Sequence, residues 1–269
     1  MSDLLARQRR YMDEEWTPPP WIERAALTPM ADYAWHSSLI ACRNRLPRDL
    51  TDASILIVNC GSGVDTHFFQ TEGAGCVGAT DISLRALAAM RSHCPGATPV
   101  VADTERLPFP DGAFDWVGVR SGLHHLERPY AGLAEMARVA RAGFFFIEAQ
   151  DTVLVPVLVR LGFLEAEEEA GNRVFRFRRR DVAAQLEALE VDAYTIRTAW
   201  FMQVPPLLEL SKRIPGRAAA WLLRAFVWTL NLFIGRVGNC MVVVARLRGT
   251  QTRRALTDRA AEEEDRCRS

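Results

Sequence analysis

The chain has 269 residues, of which 49% are hydrophobic and 25% charged, enough to bury the core of one α/β domain with additions or of two small domains. Its 33 basic and 33 acidic residues cancel. This balance disfavours a nucleic-acid substrate, since proteins that bind nucleic acids usually carry a basic surplus. The six cysteines form no C-x-x-C pair and the N-terminus lacks the apolar run of a signal peptide, so we expect reduced thiols in a cytoplasmic protein.

The first 50 residues are predicted to form two helices ahead of the main fold. Residues 1–15 have the composition of a polar helix, and three prolines at 18–20 interrupt it. A second helix is expected at 30–45, with an aromatic side formed by Tyr33, Trp35 and His36. We expect this section either to cover a ligand as a lid, with those three side chains binding substrate, or simply to pack on the sheet.

A strand, a glycine turn and a helix follow, and the rest of the chain is organised around them. Residues 55–58 are apolar and mostly β-branched, as in a buried strand. Gly61-Ser62-Gly63 then indicates a tight turn before a helix at 64–70. Such a unit opens nucleotide-binding α/β folds, in which backbone N–H groups and the helix N-terminus face the ligand.

Four more strands alternate with helices downstream. They are expected at residues 75–81, 98–102, 114–119 and 143–148. The second strand of the fold ends at Asp81, where an acid accepts hydrogen bonds from ribose hydroxyls, and the third ends at Asp103. Helices are expected at 83–93, capped by Ser83, and at 129–140. This alternation predicts a parallel, doubly wound sheet.

The ligand of this sheet is indicated by four segments taken together. A dinucleotide fingerprint would place a third glycine at position 66, where Thr66 stands. The chain instead resembles class I S-adenosylmethionine-dependent methyltransferases in four segments that occur in the same order: 58–63 (VNCGSG), 80–83 (TDIS), 102–109 (ADTERLPF) and 114–126, which begins FD and ends LHHL.

This resemblance implies roles for seven residues. The glycines of the first segment would approach the methionine part of the cofactor, Asp81 would hold the ribose diol, Ile82 would pack on the adenine, and Asp103 would accept from the adenine amino group. The implied cofactor-binding residues are Asn59, Gly61, Gly63, Asp81, Ile82, Asp103 and Thr104. The chain departs from the family twice, since the family often has an acid where Ile57 stands and a glycine where Asn59 stands.

The family likeness also implies how the fold ends. It implies a Rossmann-like seven-stranded sheet of order 3-2-1-4-5-7-6, with an antiparallel seventh strand. Residues 191–201 and 240–246 are the expected sixth and seventh strands, and a helical insertion at 204–238 separates them. We therefore expect a methyltransferase domain at 51–249, the helical section at 1–50 before it, and a disordered charged tail at 250–269.

The second half of the insertion, residues 217–234, is strongly apolar. A membrane span needs about 20 apolar residues, and Arg224 interrupts the run, so we expect no transmembrane segment. The alternatives are a lid over an apolar substrate, a contact between copies in a homo-oligomer, or peripheral attachment to a membrane interface.

Two groups of residues are candidates for chemistry. His124 and His125 follow the fourth strand, where one could act as general base, although the pair could equally only shape the loop. Residues 148–180 form a second group of carboxylates and arginines. Glu169 is a candidate base, Glu148 and Asp151 are candidate Mg²⁺ ligands, and the candidate substrate-binding residues are Arg176, Arg178 and Trp200.

We therefore expect an enzyme that transfers a methyl group from S-adenosylmethionine to a small, apolar metabolite. C-methylation of an isoprenoid diphosphate would use the carboxylates, arginines and aromatic residues together, and O- or N-methylation is the other form. The alternatives are a peripheral membrane methyltransferase of a lipid or quinone and, in another class, a non-catalytic protein that binds the cofactor or assists assembly.

Overall fold

A computed structural model describes residues 3–15, 28–162, 164, 166–167, 174–199 and 216–248. The predicted proline breaker, the first half of the insertion and the charged tail lie outside these residues, as do Glu169 and Trp200. The side chain of Trp35 is likewise outside what the structure describes.

Eight α-helices and seven strands are described. The helices are α1 (Asp3–Arg10), α2 (Pro29–Arg43), α3 (Val64–Thr71), α4 (Leu84–His93), α5 (Pro129–Val139), α6 (Val155–Arg160), α7 (Arg179–Ala188) and α8 (Arg217–Ile234). The strands are β1 (Ser54–Ile57), β2 (Cys76–Asp81), β3 (Thr98–Val101), β4 (Phe114–Arg120), β5 (Ala140–Ala149), β6 (Ala193–Ala199) and β7 (Cys240–Arg246). A π-helical turn, Tyr11–Glu15, continues α1.

All seven strands form one sheet of order β3-β2-β1-β4-β5-β7-β6. Strands β1 to β5 are parallel, and β7 runs antiparallel to both of its neighbours. The predicted fold class is therefore confirmed. The prediction for β5 was too short, because Arg141 interrupts the apolar pattern although the strand already begins at Ala140. The prediction for β6 was too long at its N-terminal end, where residues 191 and 192 precede the strand.

The sheet separates two hydrophobic cores, and three consecutive phenylalanines of β5 show how. Side chains alternate between the two faces of a strand. Phe145 packs with Phe68, Phe69 and Ile57 on the side of α2 to α4, whereas Phe144 and Phe146 pack on the side of α5 and α7. Both faces are thus covered by helices, which is why these strands are apolar throughout.

The N-terminal elements pack against the main fold. The Asp13 carboxylate lies 2.5 Å from Ser83 Oγ, at the N-terminus of α4, and the Asp13 carbonyl accepts from Arg85. Helix α2 packs against α8, where the Arg224 guanidinium lies 5.1 Å from the centroid of the Tyr33 ring. The division of the chain into domains at 50 and 249, and the role of the first part as a lid, stay predictions.

Helix α8 lies where the second half of the insertion was predicted. Only Ala220 and Val227 among its residues are buried. By length and composition alone, Arg217–Val237 is apolar enough to cross a membrane, and 17% of this stretch is buried in the protein. The expectation of no transmembrane segment therefore stays a prediction.

Candidate active site

The candidate site is built from the turns that follow the parallel strands. Because β1 to β5 all run in the same direction, their carboxyl ends meet at one edge of the sheet, which is where ligands bind in open α/β sheets. The turn after β1 has left-handed backbone at Gly61 (φ 51°) and Gly63 (φ 92°). A Cβ on Gly63 would stand 2.4 Å from Met90 Cγ, so the turn needs glycine there for space as well as for conformation.

The turn after β2 places a buried carboxylate beside this glycine turn. Asp81 is 6% exposed, and its two oxygens accept hydrogen bonds from the N–H groups of Gly61 and Ser83, each at 2.9 Å. Burial raises the pKa of Asp81, and these backbone donors oppose the rise. Each carboxylate oxygen can accept a further hydrogen bond, so the group fits a ligand that offers hydroxyl donors. Ile82 follows, half-buried.

The backbone conformation of Asn59 explains why this residue can depart from the family pattern. Its φ is 49°, in the left-handed region, and asparagine is among the few residues besides glycine that adopt this conformation readily. Its side-chain oxygen lies 2.5 Å from the hydroxyl of Thr104, which donates to it. The other departure, Ile57, is 1% exposed and belongs to a hydrophobic core.

A cavity of about 190 Å³ lies beside Asp103, under the N-terminal helix. Gln8 and Leu5 of α1 line it from one side, and Glu105 lines it from the other. Gln8 is buried, and its Nε2 has no hydrogen-bond partner among the described residues. An amide donor without a partner and a carboxylate acceptor in one cavity fit a nitrogen heterocycle that offers both acceptors and donors, such as adenine.

The ends of β4 and β5 bring together a histidine and a carboxylate. Nδ1 of His124 lies 2.6 Å from one oxygen of Glu148, and the other oxygen accepts from the N–H groups of Gly122 and Leu123 at 2.8 and 2.7 Å. The side chain of Glu148 is fully buried and that of His124 is 10% exposed. A carboxylate on one ring nitrogen fixes the orientation of an imidazole and stabilises the ring when it takes up a proton.

His125 differs from its neighbour. Burial, with a smaller contribution from His124, lowers the pKa of His125 to about 3. The ring is therefore neutral at physiological pH. Of the two histidines predicted as candidate bases, His124 has the geometry of an oriented base, although neither role is tested by these observations.

Arg120 and Asp65 form an ion pair at the same edge of the sheet, and the sequence did not predict it. Nη2 and Nε of Arg120 lie 2.6 and 2.8 Å from one oxygen of Asp65, and the two side chains are 10% and 11% exposed. Arg120 ends β4 and Asp65 lies in the first turn of α3. An arginine at the end of an apolar strand was the signal in the sequence that could have pointed to this pair.

The structure does not bring the residues predicted to bind a metal together in one site. Glu148 is engaged by His124 and two backbone donors, and Asp151 forms an ion pair with Arg178 at 2.7 Å. Among the described residues, there is no group of three or more His, Cys, Asp or Glu side chains that could hold a metal ion. The structure thus gives no support to the expectation of Mg²⁺.

The residues predicted to bind substrate lie in separate places. His36 is 1% exposed, its Nδ1 contacts Asp32 in its own helix, and its ring stacks on Phe68, so it lies in the packing between α2 and α3. Tyr33 is partly buried beside Arg224. Arg176 lines a separate cleft of about 400 Å³ between α6 and the segment before α7. Their roles stay predictions.

Comparison with known proteins agrees with this geometry. Residues 56–147 match a family described as a methyltransferase domain. Over 146 residues, the chain is 34% identical to the demethylmenaquinone methyltransferase of Mycobacterium bovis. The aligned residues make up 54% of this chain and 59% of that protein. The matches to the curated relatives named first span between 38% and 59% of those proteins.

Solved structures share the fold at low sequence identity. A methyltransferase from Thermotoga maritima that depends on S-adenosylmethionine superimposes with a TM-score of 0.55 and 16% identity, over 81% of this chain and 92% of that one. The magnesium protoporphyrin IX methyltransferase of Synechocystis, with bound S-adenosylhomocysteine, superimposes with a TM-score of 0.52 and 14% identity. The match covers 90% of this chain and 94% of that one. At these identities, the likeness shows the fold.

Residues 56–147 thus match a methyltransferase domain, and the sheet order has the fold of class I S-adenosylmethionine-dependent methyltransferases. The resemblance seen in the sequence is confirmed to this extent.

Proposed function

We propose that this protein transfers a methyl group from S-adenosylmethionine to a small, apolar acceptor. The observation that carries the proposal is the buried Asp81 carboxylate, which accepts from the Gly61 N–H beside a left-handed glycine turn. When bound, S-adenosylmethionine would supply a methyl group already activated on a sulfonium. The residues of the chain would bind the cofactor and the acceptor, orient them for transfer and exclude water.

Four residues would hold the cofactor. Asp81 would accept from the ribose hydroxyls, Asp103 and Gln8 would face the adenine in the cavity under α1, and the turn at Gly61 would lie along the methionine end. Ile57 replaces the acid that the family often has near that end. We propose that the Asp65–Arg120 pair supplies polar groups there, because both residues lie next to the same turn.

We propose that His124, oriented by Glu148, takes the proton from the acceptor atom. An O–H, N–H or acidic C–H acceptor must lose a proton as its bond to the methyl group forms, and a positioned base typically contributes about 10²–10⁴-fold to such a step. The fully buried Glu148 would hold the ring by Nδ1 and leave Nε2 to act. The other interpretation, in which the two histidines only shape the loop, predicts no such dependence.

A lipid or quinone acceptor is the second candidate. The relatives are named demethylmenaquinone methyltransferases, and the outer face of α8 exposes large apolar side chains, including Trp221 and Phe233, at 69% and 77%. Arg178 is paired with Asp151 and so is not available to a phosphate, which argues against an isoprenoid diphosphate as acceptor.

The experiment is methyl transfer from radiolabelled S-adenosylmethionine to a panel of acceptors: apolar phenols, demethylated quinols, prenyl diphosphates and amines. The expected result is label in the organic extract with at least one apolar acceptor, reduced in the His124→Asn variant. Binding of the cofactor without transfer to any acceptor would favour the non-catalytic alternative.

A further inference from the structure

Helix α8 presents an apolar face to solvent. Six large side chains on it are between 59% and 77% exposed: Trp221, Leu222, Phe226, Trp228, Leu232 and Phe233. Amphipathic helices normally bury their apolar stripe, whereas this helix turns most of its apolar surface outward. Exposed apolar patches of this kind mark interaction surfaces.

The way α8 is attached to the protein determines its orientation. Its buried side, with Ala220 and Val227, packs beside Tyr33 of α2. Its C-terminal end leads through Gly235–Val237 into β7, which begins at Cys240 and lies between β5 and β6. At 1.5 Å per residue, the 18-residue helix is roughly 27 Å long. To span a bilayer, it would have to leave α2 and draw an internal strand to the lipid.

The charged residues of the segment that contains α8 are all of one sign. The sequence has no Asp or Glu from Gly216 to Arg248. Arg217 and Arg236 are exposed at the two ends of the apolar stretch, and Arg224 lies on the flank next to Tyr33. Burial raises the pKa of the Tyr33 hydroxyl, and the positive charges of Arg224 and of Arg197, on β6, oppose that rise.

This charge pattern indicates which partner the exposed face of α8 would bind. A second copy of the chain would bring arginine ends against arginine ends, whether the two helices ran parallel or antiparallel. An anionic lipid surface supplies the opposite charge, and tryptophan and arginine are the residues that interfacial helices use at the boundary between headgroups and acyl chains. Clustered arginines add affinity for acidic lipids.

We infer that α8 seats this protein on an anionic lipid bilayer, lying flat in the interface with its apolar face in the acyl boundary. The sheet stays in water, and α2, with Tyr33, lies between the membrane and the rest of the fold. This surface does not depend on the proposed methyl transfer, because it is defined by α8 alone and can be tested without cofactor or substrate.

The test is flotation of the full chain with vesicles of phosphatidylcholine alone and of phosphatidylcholine with phosphatidylglycerol. The expected result is strong co-flotation with the anionic vesicles, weakened by salt. The triple variant Trp221→Ser, Trp228→Ser, Phe233→Ser is expected to lose about tenfold or more in partitioning. The double variant Arg217→Gln, Arg236→Gln is expected to lose roughly fivefold per arginine, for anionic vesicles only.

A matched control removes exposed apolar residues elsewhere. Val153 and Leu161 are 80% and 64% exposed outside α8, and Val153→Ser, Leu161→Ser is expected to float like the unchanged protein. Circular dichroism of each variant verifies that it is folded. The inference is overturned by the absence of flotation, by flotation that the α8 variants leave unchanged, or by binding that is independent of lipid charge. A concentration-dependent dimer that the triple variant abolishes, without flotation, would assign the face to a second copy instead.

Discussion

Glu148 and His124 are 24 positions apart in the chain, yet the Glu148 carboxylate lies 2.6 Å from His124 Nδ1. The parallel register of β4 and β5 produces this contact, because Ile147, next to Glu148, pairs with Arg120 at the end of β4. The N–H groups of Gly122 and Leu123 hold the second carboxylate oxygen. The two backbone N–H groups hold the carboxylate, and the carboxylate in turn fixes the orientation of the imidazole.

We predict that His124→Asn lowers kcat by about 10²–10⁴-fold while the affinity for S-adenosylmethionine is retained, since the ring is proposed to move a proton and not to bind the cofactor. Glu148→Gln should also lower kcat, because a side-chain amide would donate to Nδ1 and force the proton of the neutral ring onto Nε2. Steady-state rates with an acceptor of the panel that takes up the label provide the measurement. His93→Asn, at an exposed position on α4, is the control. Full activity in His124→Asn would leave the histidines with a loop-shaping role only.

The Asp65–Arg120 pair should matter for stability. Both side chains are about nine-tenths buried, and removal of one partner leaves the other charge buried without it. We expect Asp65→Ala to lower the free energy of unfolding by about 3–5 kcal/mol. The control is Asp111→Ala in the exposed pair with Arg138, where Asp111 is 79% exposed and the loss should stay under about 1 kcal/mol. Urea denaturation measures both, and equal losses would contradict the prediction.

The backbone of Asn59 yields a comparison of two substitutions. Asn59→Ala must hold a Cβ residue at φ 49°, at a cost of about 1–2 kcal/mol, whereas Asn59→Gly adopts this conformation without strain. Both variants lose the hydrogen bond from Thr104, so the difference between them isolates the backbone. Asn59→Gly should therefore melt at the higher temperature. At Asn44, where φ is −64°, the same two substitutions should show no advantage for glycine. An alanine variant at 59 as stable as the glycine variant would contradict this account.

His125 makes stability depend on pH. Its pKa is about 3 in the folded protein and about 6.5 when unperturbed. The unfolded chain therefore binds more protons as the pH falls below 6.5, and acid favours unfolding through this group until the pH reaches about 3. At pH 5.5 the loss should be about 1 kcal/mol relative to pH 8. We expect His125→Gln to remove this part of the difference in the free energy of unfolding between pH 5.5 and pH 8, measured by urea denaturation. An unchanged difference would show that His125 is not the group that titrates.

The sequence predicted the strands of the sheet because each core strand is a short apolar run next to a turn, and the family resemblance supplied their order. The contacts at the site could not be read in the same way. The Asp65–Arg120 and His124–Glu148 pairs join residues 55 and 24 positions apart, and only the register of β4 beside β1 and β5 brings them together. Asn59 departs from the family pattern, and its left-handed φ gives the physical reason.

We propose that the turn at Gly61 and the carboxylate of Asp81 bind S-adenosylmethionine. Isothermal titration calorimetry of the full chain with S-adenosylmethionine measures this binding. We predict one site per chain, and a loss of roughly 10- to 100-fold in affinity for Asp81→Ala, because the lost hydrogen bonds involve a charged group. No heat of binding by the folded protein, or equal affinity for the Asp81→Ala variant, would contradict the claim.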